Sequence, residues 1–172
     1  MVNGALELDA LNAAEPGAFA AALAPLFEGA PRFLARLAAG RPDADWPGLF
    51  ARARAIARAM PELEQVELID AHPRLGAPPG AVSALSFREQ AYDRGAAGGD
   101  VADELLHDLN ARYEARFGFR YCVHVAGRPR AILLPEMVAA LEADRESELD
   151  RALDVVVDIA QARLLVLRGS AT

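Results

Sequence analysis

The sequence predicts an all-α fold: a single-domain bundle of several helices over residues 1–172, with one short extended segment at about residues 119–126. Alanine, which has the highest helix propensity of all residues, occupies 38 of the 172 positions. Between closely spaced glycines and prolines, apolar residues recur at helical intervals of three and four. This length is enough for one well-packed core, and neither an internal repeat nor a low-complexity linker divides it.

The first two predicted helices are bounded by glycine and proline. Apolar residues at helical spacing predict a helix over residues 18–27. Pro31 suits the first turn of the next helix, because that position needs no backbone N–H. Gly40 and Pro42 end this second helix.

The next two helices lead to a histidine. One carries a continuous apolar stripe, formed by Trp46, Leu49, Phe50, Ala53, Ile56, Ala57 and Met60. A shorter helix over residues 63–70 must end by His72, because Pro73 disfavours helical geometry in the residue before it. Residues 77–80 then read as a loop.

The second half of the chain also reads as helical. A helix begins near Ser86, and the glycine-rich residues 95–99 separate it from a long amphipathic helix. The residues expected on the inward face of that helix are Val101, Leu105, Leu106, Leu109, Tyr113 and Phe117. Two last helices are predicted over residues 131–143 and 146–167.

Residues 119–126 are the one strand-like stretch. The sequence offers no second strand to pair with them, and an isolated strand is not stable alone. Two interpretations remain open: an extended segment inside a helical protein, or a small sheet formed across a dimer.

Charge and composition exclude several functions. All 18 basic residues are arginines, so Schiff-base, pyridoxal phosphate and P-loop chemistry lack their lysine. The net charge of −7 and a pI near 5.0 argue against a nucleic-acid partner. Arg52, Arg54 and Arg58 are expected on a solvated helix face, because acidic residues flank them.

The sequence predicts a cytoplasmic protein with no membrane partner. No apolar run reaches the roughly 18 residues that a membrane-spanning helix needs. The N-terminus lacks the basic start of a signal peptide. Cys122 is the single cysteine, so an internal disulfide is impossible.

We expect neither a metal nor a cofactor. The three histidines lie far apart in sequence, and Cys122 with His124 supplies too few ligands. No dinucleotide-binding glycine motif follows a strand. Cys122 could be a nucleophile paired with a distant histidine, but a lone cysteine in an apolar run is usually a small core residue.

Several polar residues each have a functional and a structural interpretation. His72 could transfer protons near neutral pH or stabilise the end of its helix. The spacing of Ser86 and Glu89 matches a capping box, which is the interpretation favoured from spacing alone. Arg163, near an apolar helix face, could be a buried carboxylate clamp or could reach solvent.

These residues belong to motifs that resemble those of the 2-oxo-4-hydroxy-4-carboxy-5-ureidoimidazoline (OHCU) decarboxylases. The motifs are His72-Pro73-x-Leu75-Gly76, Ser86-x-x-Glu89-Gln90, Leu109-Asn110-x-x-Tyr113-x-x-Arg116-Phe117-Gly118-Phe119 and Ile159-Ala160-x-x-Arg163-Leu164. Weaker matches occur at Leu11-Asn12, Phe27-Glu28, Pro31 and Arg41-Pro42. Each motif alone is weak, but four in order at compatible spacing are fairly specific.

The resemblance implies an all-α homodimer that forms (S)-allantoin in urate degradation by cofactor-free decarboxylation of a small molecule. It implies that His72 and Glu89 are an acid/base pair and that Arg163 grips a carboxylate or stabilises negative charge. It further implies that Pro73, Ser86 and Gln90 line the site. The backbone of Val123, His124, Val125 and Gly127 would then bind the ureido and ring amides.

Two alternatives stay open. Tyr92 and Tyr121 depart from the family pattern, which favours a related decarboxylase acting on another ureido- or carboxylate-bearing ring. The other alternative is a non-catalytic helical dimer that binds a small ligand or partner. In that case Glu89 would cap its own helix and Arg163 would point to solvent.

Overall fold

The fold, described for residues 6–90 and 100–169 by a computed structural model, consists of α-helices joined by turns and loops. In these ranges the helices are α1 (Leu8–Ala13), α2 (Pro16–Leu23), α3 (Pro31–Ala39), α4 (Trp46–Ala59), α5 (Glu62–Asp70), α6 (Ala84–Glu89), α7 (Asp100–Phe117), α8 (Arg130–Ala140) and α9 (Arg145–Gly169). The described residues contain no β-strand, which confirms the all-α prediction. None of the described helices is long and apolar enough to cross a membrane.

Two predicted helix ends are confirmed, and the start of α4 has a side-chain cap. Gly40 follows the last residue of α3, as expected. The side chain of Asp45 caps α4 by accepting a hydrogen bond from the N–H of Gly48. α5 ends at Asp70, two residues before His72, so the proline that follows this histidine lies outside the helix.

The predicted helix over residues 18–27 is wrong at both ends. α2 begins at Pro16 and stops at Leu23, because Pro25 has no N–H to continue the helical hydrogen bonds. The chain continues as turns, yet Leu26 and Phe27 are still fully buried. The short helix α1 was not predicted, since it buries Leu11 alone.

α7 differs from the prediction at one position. Leu106, Leu109 and Tyr113 are buried as expected, but the side chain of Leu105 is 46% exposed. The buried face is centred on Leu106 and Tyr113, and Leu105 lies about 100° from Leu106 around the helix, at the edge of this face. The predicted glycine break at 95–99, the Tyr92 stretch and the side chain of Val101 lie outside the described residues.

α9 is the central helix of the core and packs against α4, α5 and α7. Its buried apolar residues are Leu149, Ala152, Leu153, Val156, Val157, Ile159, Ala160 and Leu164. On its α4 side, Arg54 and Arg58 form ion pairs with Asp158 and Asp154, each at 2.6 Å. These surface pairs add little stability, but the apolar packing fixes α9 in place.

Residues 118–129, the α7–α8 segment, form neither helix nor strand, and arginines bind several of their backbone carbonyls. Arg151 donates from Nη1 to the carbonyl of Cys122 at 3.0 Å. Arg128 donates from Nη2 to the carbonyl of His124 at 2.7 Å and from Nε to that of Val125 at 3.3 Å. The segment is therefore held by side chains instead of by a partner strand.

A buried polar group ties α7 to α9 beside this segment. The hydroxyl of Tyr113 donates to Glu148 at 2.6 Å, and Nε of Arg151 donates to the same carboxylate at 2.9 Å. Glu148 is 4% exposed, so these two hydrogen bonds offset the free-energy cost of burying its carboxylate. The aromatic rings of Tyr113, Phe117 and Phe119 pack against one another next to this group.

We expect Tyr113→Phe to lower the free energy of unfolding by about 1.5–3 kcal/mol, because it removes a hydrogen bond to a buried carboxylate. Urea unfolding at neutral pH measures the change. Tyr121→Phe is the matched control, because the Tyr121 hydroxyl makes no hydrogen bond with the described residues. An equal loss in both variants would contradict the assigned role of the Tyr113–Glu148 bond.

Candidate active site

Arg163 on α9 lies at the centre of the site and is 2% exposed. Its Nε and Nη2 donate to the two oxygens of Glu89 at 2.7 and 2.8 Å, a bidentate pair. Nη2 also donates to Glu28 at 2.8 Å and to the Ser86 hydroxyl at 2.9 Å, and Nη1 donates to two backbone carbonyls of the α2–α3 turn. All of its donors therefore have protein acceptors, and the alternative in which Arg163 reaches solvent is wrong.

Glu28, in the α2–α3 turn, is a second carboxylate on this guanidinium. Its Oε1 accepts hydrogen bonds from the hydroxyls of Ser83 at 2.7 Å and Ser86 at 2.6 Å, as well as from Arg163. Burial by itself would raise the pKa of Glu28. The hydrogen bonds from Ser86 and Ser83 and the charge of Arg163 outweigh it, so this pKa is lowered.

Helix α6 carries Ser86 and Glu89 to Arg163. The capping-box prediction for these two residues is wrong, because the helix begins two residues before Ser86. Ser83 is the N-cap residue and accepts the hydrogen bond from the N–H of Ser86 at 3.2 Å. The Ser86 hydroxyl is consequently available to Glu28, and the Glu89 carboxylate is available to Arg163.

His72 follows α5 and is 4% exposed. Its Nδ1 lies 3.3 Å from the carbonyl oxygen of Leu68. A carbonyl can only accept, so Nδ1 carries the proton and the lone pair of the neutral ring is on Nε2. Nε2 is buried and has no hydrogen-bond partner among the described residues. Arg120 holds the backbone next to the ring by donating to the carbonyls of Asp70 and His72.

The imidazole of His72 is neutral at pH 7. Burial and, second, the charge of Arg163 lower the pKa of His72 to about 4, although Glu28 acts in the opposite direction. The alternative in which His72 stabilises its helix as a cation therefore does not apply. The ring still bonds a carbonyl in the last turn of α5, but it does so as a neutral donor.

Gln90 connects α6 to the loop after His72. Its Oε1 accepts from the N–H of Gly76 at 2.8 Å, and its Nε2 donates to the carbonyl of Arg74 at 3.2 Å. Gly76 has a φ of +79°, and a Cβ there would lie 2.5 Å from Leu106. The glycine and the glutamine together fix the path of the loop that carries His72 and Pro73.

The side chains of the site line an inner cavity of about 30 Å³, which exceeds the roughly 10–15 Å³ that one water molecule needs. Its lining residues are His72, Pro73, Leu75, Ser86, Glu89, Gln90, Tyr121, Cys122, Val123, Val125, Ile159 and Arg163. The three predicted catalytic residues thus border one cavity, together with five of the predicted binding residues.

An outer chamber of about 200 Å³ adjoins this cavity, since Glu89 and Arg163 line both. The other lining residues are Leu85, Arg88, His124, Ala126, Gly127, Ala162 and Val166. His124 and Gly127, the remaining predicted binding residues, lie here. All ten predicted site residues are therefore brought together along these two spaces.

The α7–α8 segment presents backbone N–H groups in this region. The N–H groups of residues 121–127 make no hydrogen bond with the described residues, whereas three of the carbonyls are bound by arginines. The segment can therefore offer donors more readily than acceptors. We expect a ligand to contact the N–H groups of this segment and not the three carbonyls that arginines bind.

Cys122 lies beside the inner cavity as a buried thiol. Burial raises the pKa of Cys122 to about 12, so the reactive thiolate is not populated at neutral pH. This favours the core interpretation over a nucleophile. No cluster of three or more histidine, cysteine, aspartate or glutamate side chains in the described ranges could hold a metal ion.

The fold and the site together define a class: a helical protein with a buried site suited to proton transfer. Its groups are a neutral imidazole with an open Nε2, a carboxylate held by a guanidinium, and unpaired backbone donors. The profile of the OHCU decarboxylase family matches residues 12–165. The chain belongs to this family.

Curated relatives agree with that membership. The chain is 30% identical over 169 residues to the mouse (Mus musculus) 2-oxo-4-hydroxy-4-carboxy-5-ureidoimidazoline decarboxylase, covering 96% of this chain and 94% of that protein. It is 31% identical over 160 residues to the uric acid degradation bifunctional protein PucL of Bacillus subtilis, covering 91% of this chain. It spans about a third (32%) of the length of the Bacillus protein.

Solved structures share the fold. A crystal structure of (S)-allantoin synthase superposes with a TM-score of 0.68 at 21% identity, over 94% of this chain and 54% of that one. A crystal structure of OHCU decarboxylase in the presence of (S)-allantoin gives a TM-score of 0.68 at 20% identity, over 91% of this chain and 99% of that one. At these identities the likeness establishes the architecture.

Two residues of the site were missed in the sequence. Glu28 lies within the weak match Phe27-Glu28, which was the available signal, but nothing in its spacing places it beside a residue 135 positions away. Ser83 left a weaker signal, because Ser86 offered a competing cap three residues later. Both omissions concern contacts between distant segments.

We expect His72 to make stability dependent on acid pH. The pKa of His72 is about 4 in the folded chain and about 6.5 when unfolded, so between these values the unfolded chain binds more protons. Its contribution therefore destabilises the fold by up to about 3 kcal/mol as pH falls from 6.5 to 4. Urea unfolding of the wild type and of His72→Asn at pH 7 and pH 4.5 measures it.

The expected result is a smaller acid loss in His72→Asn than in the wild type. His107→Asn is the control, because His107 is exposed on α7 and outside the two cavities. Its acid loss should match that of the wild type. Equal losses in all three proteins would show that His72 is not held in its neutral form by burial.

Proposed function

We propose that the protein converts 2-oxo-4-hydroxy-4-carboxy-5-ureidoimidazoline to (S)-allantoin by decarboxylation in urate degradation. The observation that carries the proposal is the open Nε2 of the neutral, buried His72, in the cavity that Glu89 and Arg163 also line. Family membership and the names of the relatives support the same reaction.

The substrate can supply its own electron sink. One ring carbon carries the carboxylate and a hydroxyl and adjoins a C=N bond. When the bond to the carboxylate breaks, CO2 leaves and the electron pair forms a C=C bond with the adjacent carbon. The C=N π pair moves onto nitrogen, which takes a proton from solvent. The resulting enol becomes a carbonyl when its hydroxyl proton leaves and the adjacent carbon gains a proton.

His72 is the proposed base for that hydroxyl proton. The bond from Nδ1 to the Leu68 carbonyl fixes the ring and leaves the Nε2 lone pair for the substrate. Because the pKa of His72 is only about 4, the imidazolium is a strong acid once it forms. It therefore returns the proton readily, and delivery to one face of the adjacent carbon would set the (S) configuration.

We assign Glu89 to the acid/base pair with His72. Its carboxylate accepts hydrogen bonds from the ring or ureido N–H groups of the substrate. Arg163 fixes the position of Glu89 through two parallel hydrogen bonds. Its charge also stabilises negative charge that develops on the substrate. Since the donors of Arg163 already have protein acceptors, we assign it to positioning Glu89 instead of gripping the substrate carboxylate.

The remaining predicted residues would form the walls of the cavity and bind the ligand. Pro73, Ser86 and Gln90 line the inner cavity, and the side chains of the latter two are already engaged in fixing α6 and the His72 loop. The free N–H groups of residues 123–127 would donate to the carbonyl oxygens of the ureido group and the ring. Glu89 and Arg163 line both spaces, so a ligand bound beside them would extend from the inner cavity into the outer chamber.

Tyr121, on the wall of the inner cavity, favours one alternative. The second candidate function is decarboxylation of a related ring compound that carries another ureido or carboxylate substituent. Such a substituent would contact the Tyr121 side chain differently. The non-catalytic alternative expected Glu89 to cap its own helix. The ion pair between Glu89 and Arg163 weighs against it.

The predicted homodimer and cytoplasmic location belong to the same proposal. Each rests on inference from the sequence: the dimer on the family resemblance, and the location on the single cysteine. The hydrogen bonds described for His72 and Glu89 are made by residues of the same chain.

The wild-type protein should accelerate formation of (S)-allantoin from freshly generated substrate, followed by circular dichroism. His72→Asn should reduce kcat/KM at least about a hundredfold, because asparagine can still donate to the Leu68 carbonyl but has no basic Nε2. Glu89→Gln should cost at least about a hundredfold as well, since an amide presents a donor where the carboxylate accepts.

His107→Asn is the matched control for His72→Asn and should retain wild-type kcat/KM. A wild type that gives no acceleration over buffer at micromolar concentration would overturn the proposed function. If the wild type is active and His72→Asn stays within about threefold of it, the reaction stands but the proton-transfer role of His72 does not.

A further inference from the structure

The arginines of the described ranges are almost all paired. Of the 18 arginines, Arg94 lies outside those ranges, and 16 of the remaining 17 have an ion pair, a hydrogen bond or an aromatic contact. Arg88 is the exception. It is exposed on α6, immediately before Glu89, and makes none of these contacts with the described residues.

Arg88 is also placed beside the site. It lines the outer chamber together with Glu89, His124 and Arg163. Arg163 is saturated by protein acceptors, so it has no free donor for an incoming anion. Arg88 is therefore the open guanidinium at this position, and a guanidinium recognises a carboxylate by two parallel hydrogen bonds.

The charged side chains around Arg163 favour such a cation. Arg163 carries one positive charge, whereas Glu28 and Glu89 carry two negative charges around it, and His72 is neutral. Without Arg88 this cluster has a net charge of about −1, inside a protein of net charge −7. Arg88 brings the cluster to zero, which removes the local repulsion of an anionic substrate.

We propose that Arg88 binds the carboxylate of the substrate in the outer chamber, and this inference rests on the proposed decarboxylation. The carboxylate is the group that leaves as neutral CO2, so its attraction to Arg88 ends when the reaction occurs. An exposed, hydrated cation suits this role, because a strong buried ion pair would stabilise the ground state and slow the loss of CO2. Arg88 therefore contributes to binding of the anionic substrate more than to the rate of the chemical step.

The test compares Arg88→Gln, Arg88→Lys and Arg112→Gln with the wild type. Arg112 is an exposed arginine paired with Asp108 on α7, outside both cavities, so its replacement changes the net charge equally. For each protein KM and kcat are measured with the OHCU substrate at low and at moderate salt. The inhibition constant of (S)-allantoin, which has no carboxylate, is measured in parallel.

Arg88→Gln should raise KM about five- to tenfold, leave kcat within about twofold, and weaken the salt dependence of kcat/KM. The inhibition constant of (S)-allantoin should stay within about twofold in this variant. Arg88→Lys should recover most of the loss, since it restores the charge, and Arg112→Gln should match the wild type.

Three results would overturn the inference. One is an active wild type whose KM the Arg88→Gln variant shares within about twofold. Another is a parallel rise in KM and in the inhibition constant of the neutral product, which would assign Arg88 to the shape of the chamber. An inactive wild type would overturn this inference and the proposed function together, so the two failures are distinguishable.

Discussion

The buried guanidinium of Arg163 is the interaction on which the rest of the site depends. It joins α9 to the α2–α3 turn and to α6, and its two carboxylate partners come from positions 135 and 74 residues away. Such an ion pair costs desolvation when it forms, and removing one partner typically costs about 3–5 kcal/mol. The ion pairs of Arg163 therefore contribute less to net stability than to the geometry of the site, because one cation fixes Glu89, Ser86 and Glu28 relative to one another.

The protonation state of His72 depends on burial first and on the charge of Arg163 second. Burial and the charge of Arg163 keep the imidazole neutral, and the Leu68 carbonyl fixes which nitrogen holds the proton. A base so placed is weak in the ground state, which suits a reaction whose substrate activates itself. The absence of lysine from the chain is no obstacle to this chemistry, since none of its proposed steps requires a Schiff base.

Local patterns in the sequence correctly predicted features that depend on residues close together in the chain. The apolar stripe of α4 and the proline after His72 predicted helix positions and ends correctly. Leu105 was misassigned because it lies at the edge of the buried face of α7, where apolar spacing does not decide between core and solvent. The Ser86 cap was misassigned because Ser83 begins the helix earlier. Glu28 could not be found from spacing, since its role exists only after three distant segments meet around one guanidinium.

A crystal structure with (S)-allantoin bound tests the positioning role of Arg163 most directly. We expect the ligand to contact Nε2 of His72 and backbone N–H groups of the α7–α8 segment. Arg163 should keep its two bonds to Glu89 and its bond to Glu28 at their unliganded distances of 2.7–2.8 Å. A complex in which Arg163 releases Glu89 and binds the ligand itself would show that Arg163 does not act by positioning Glu89.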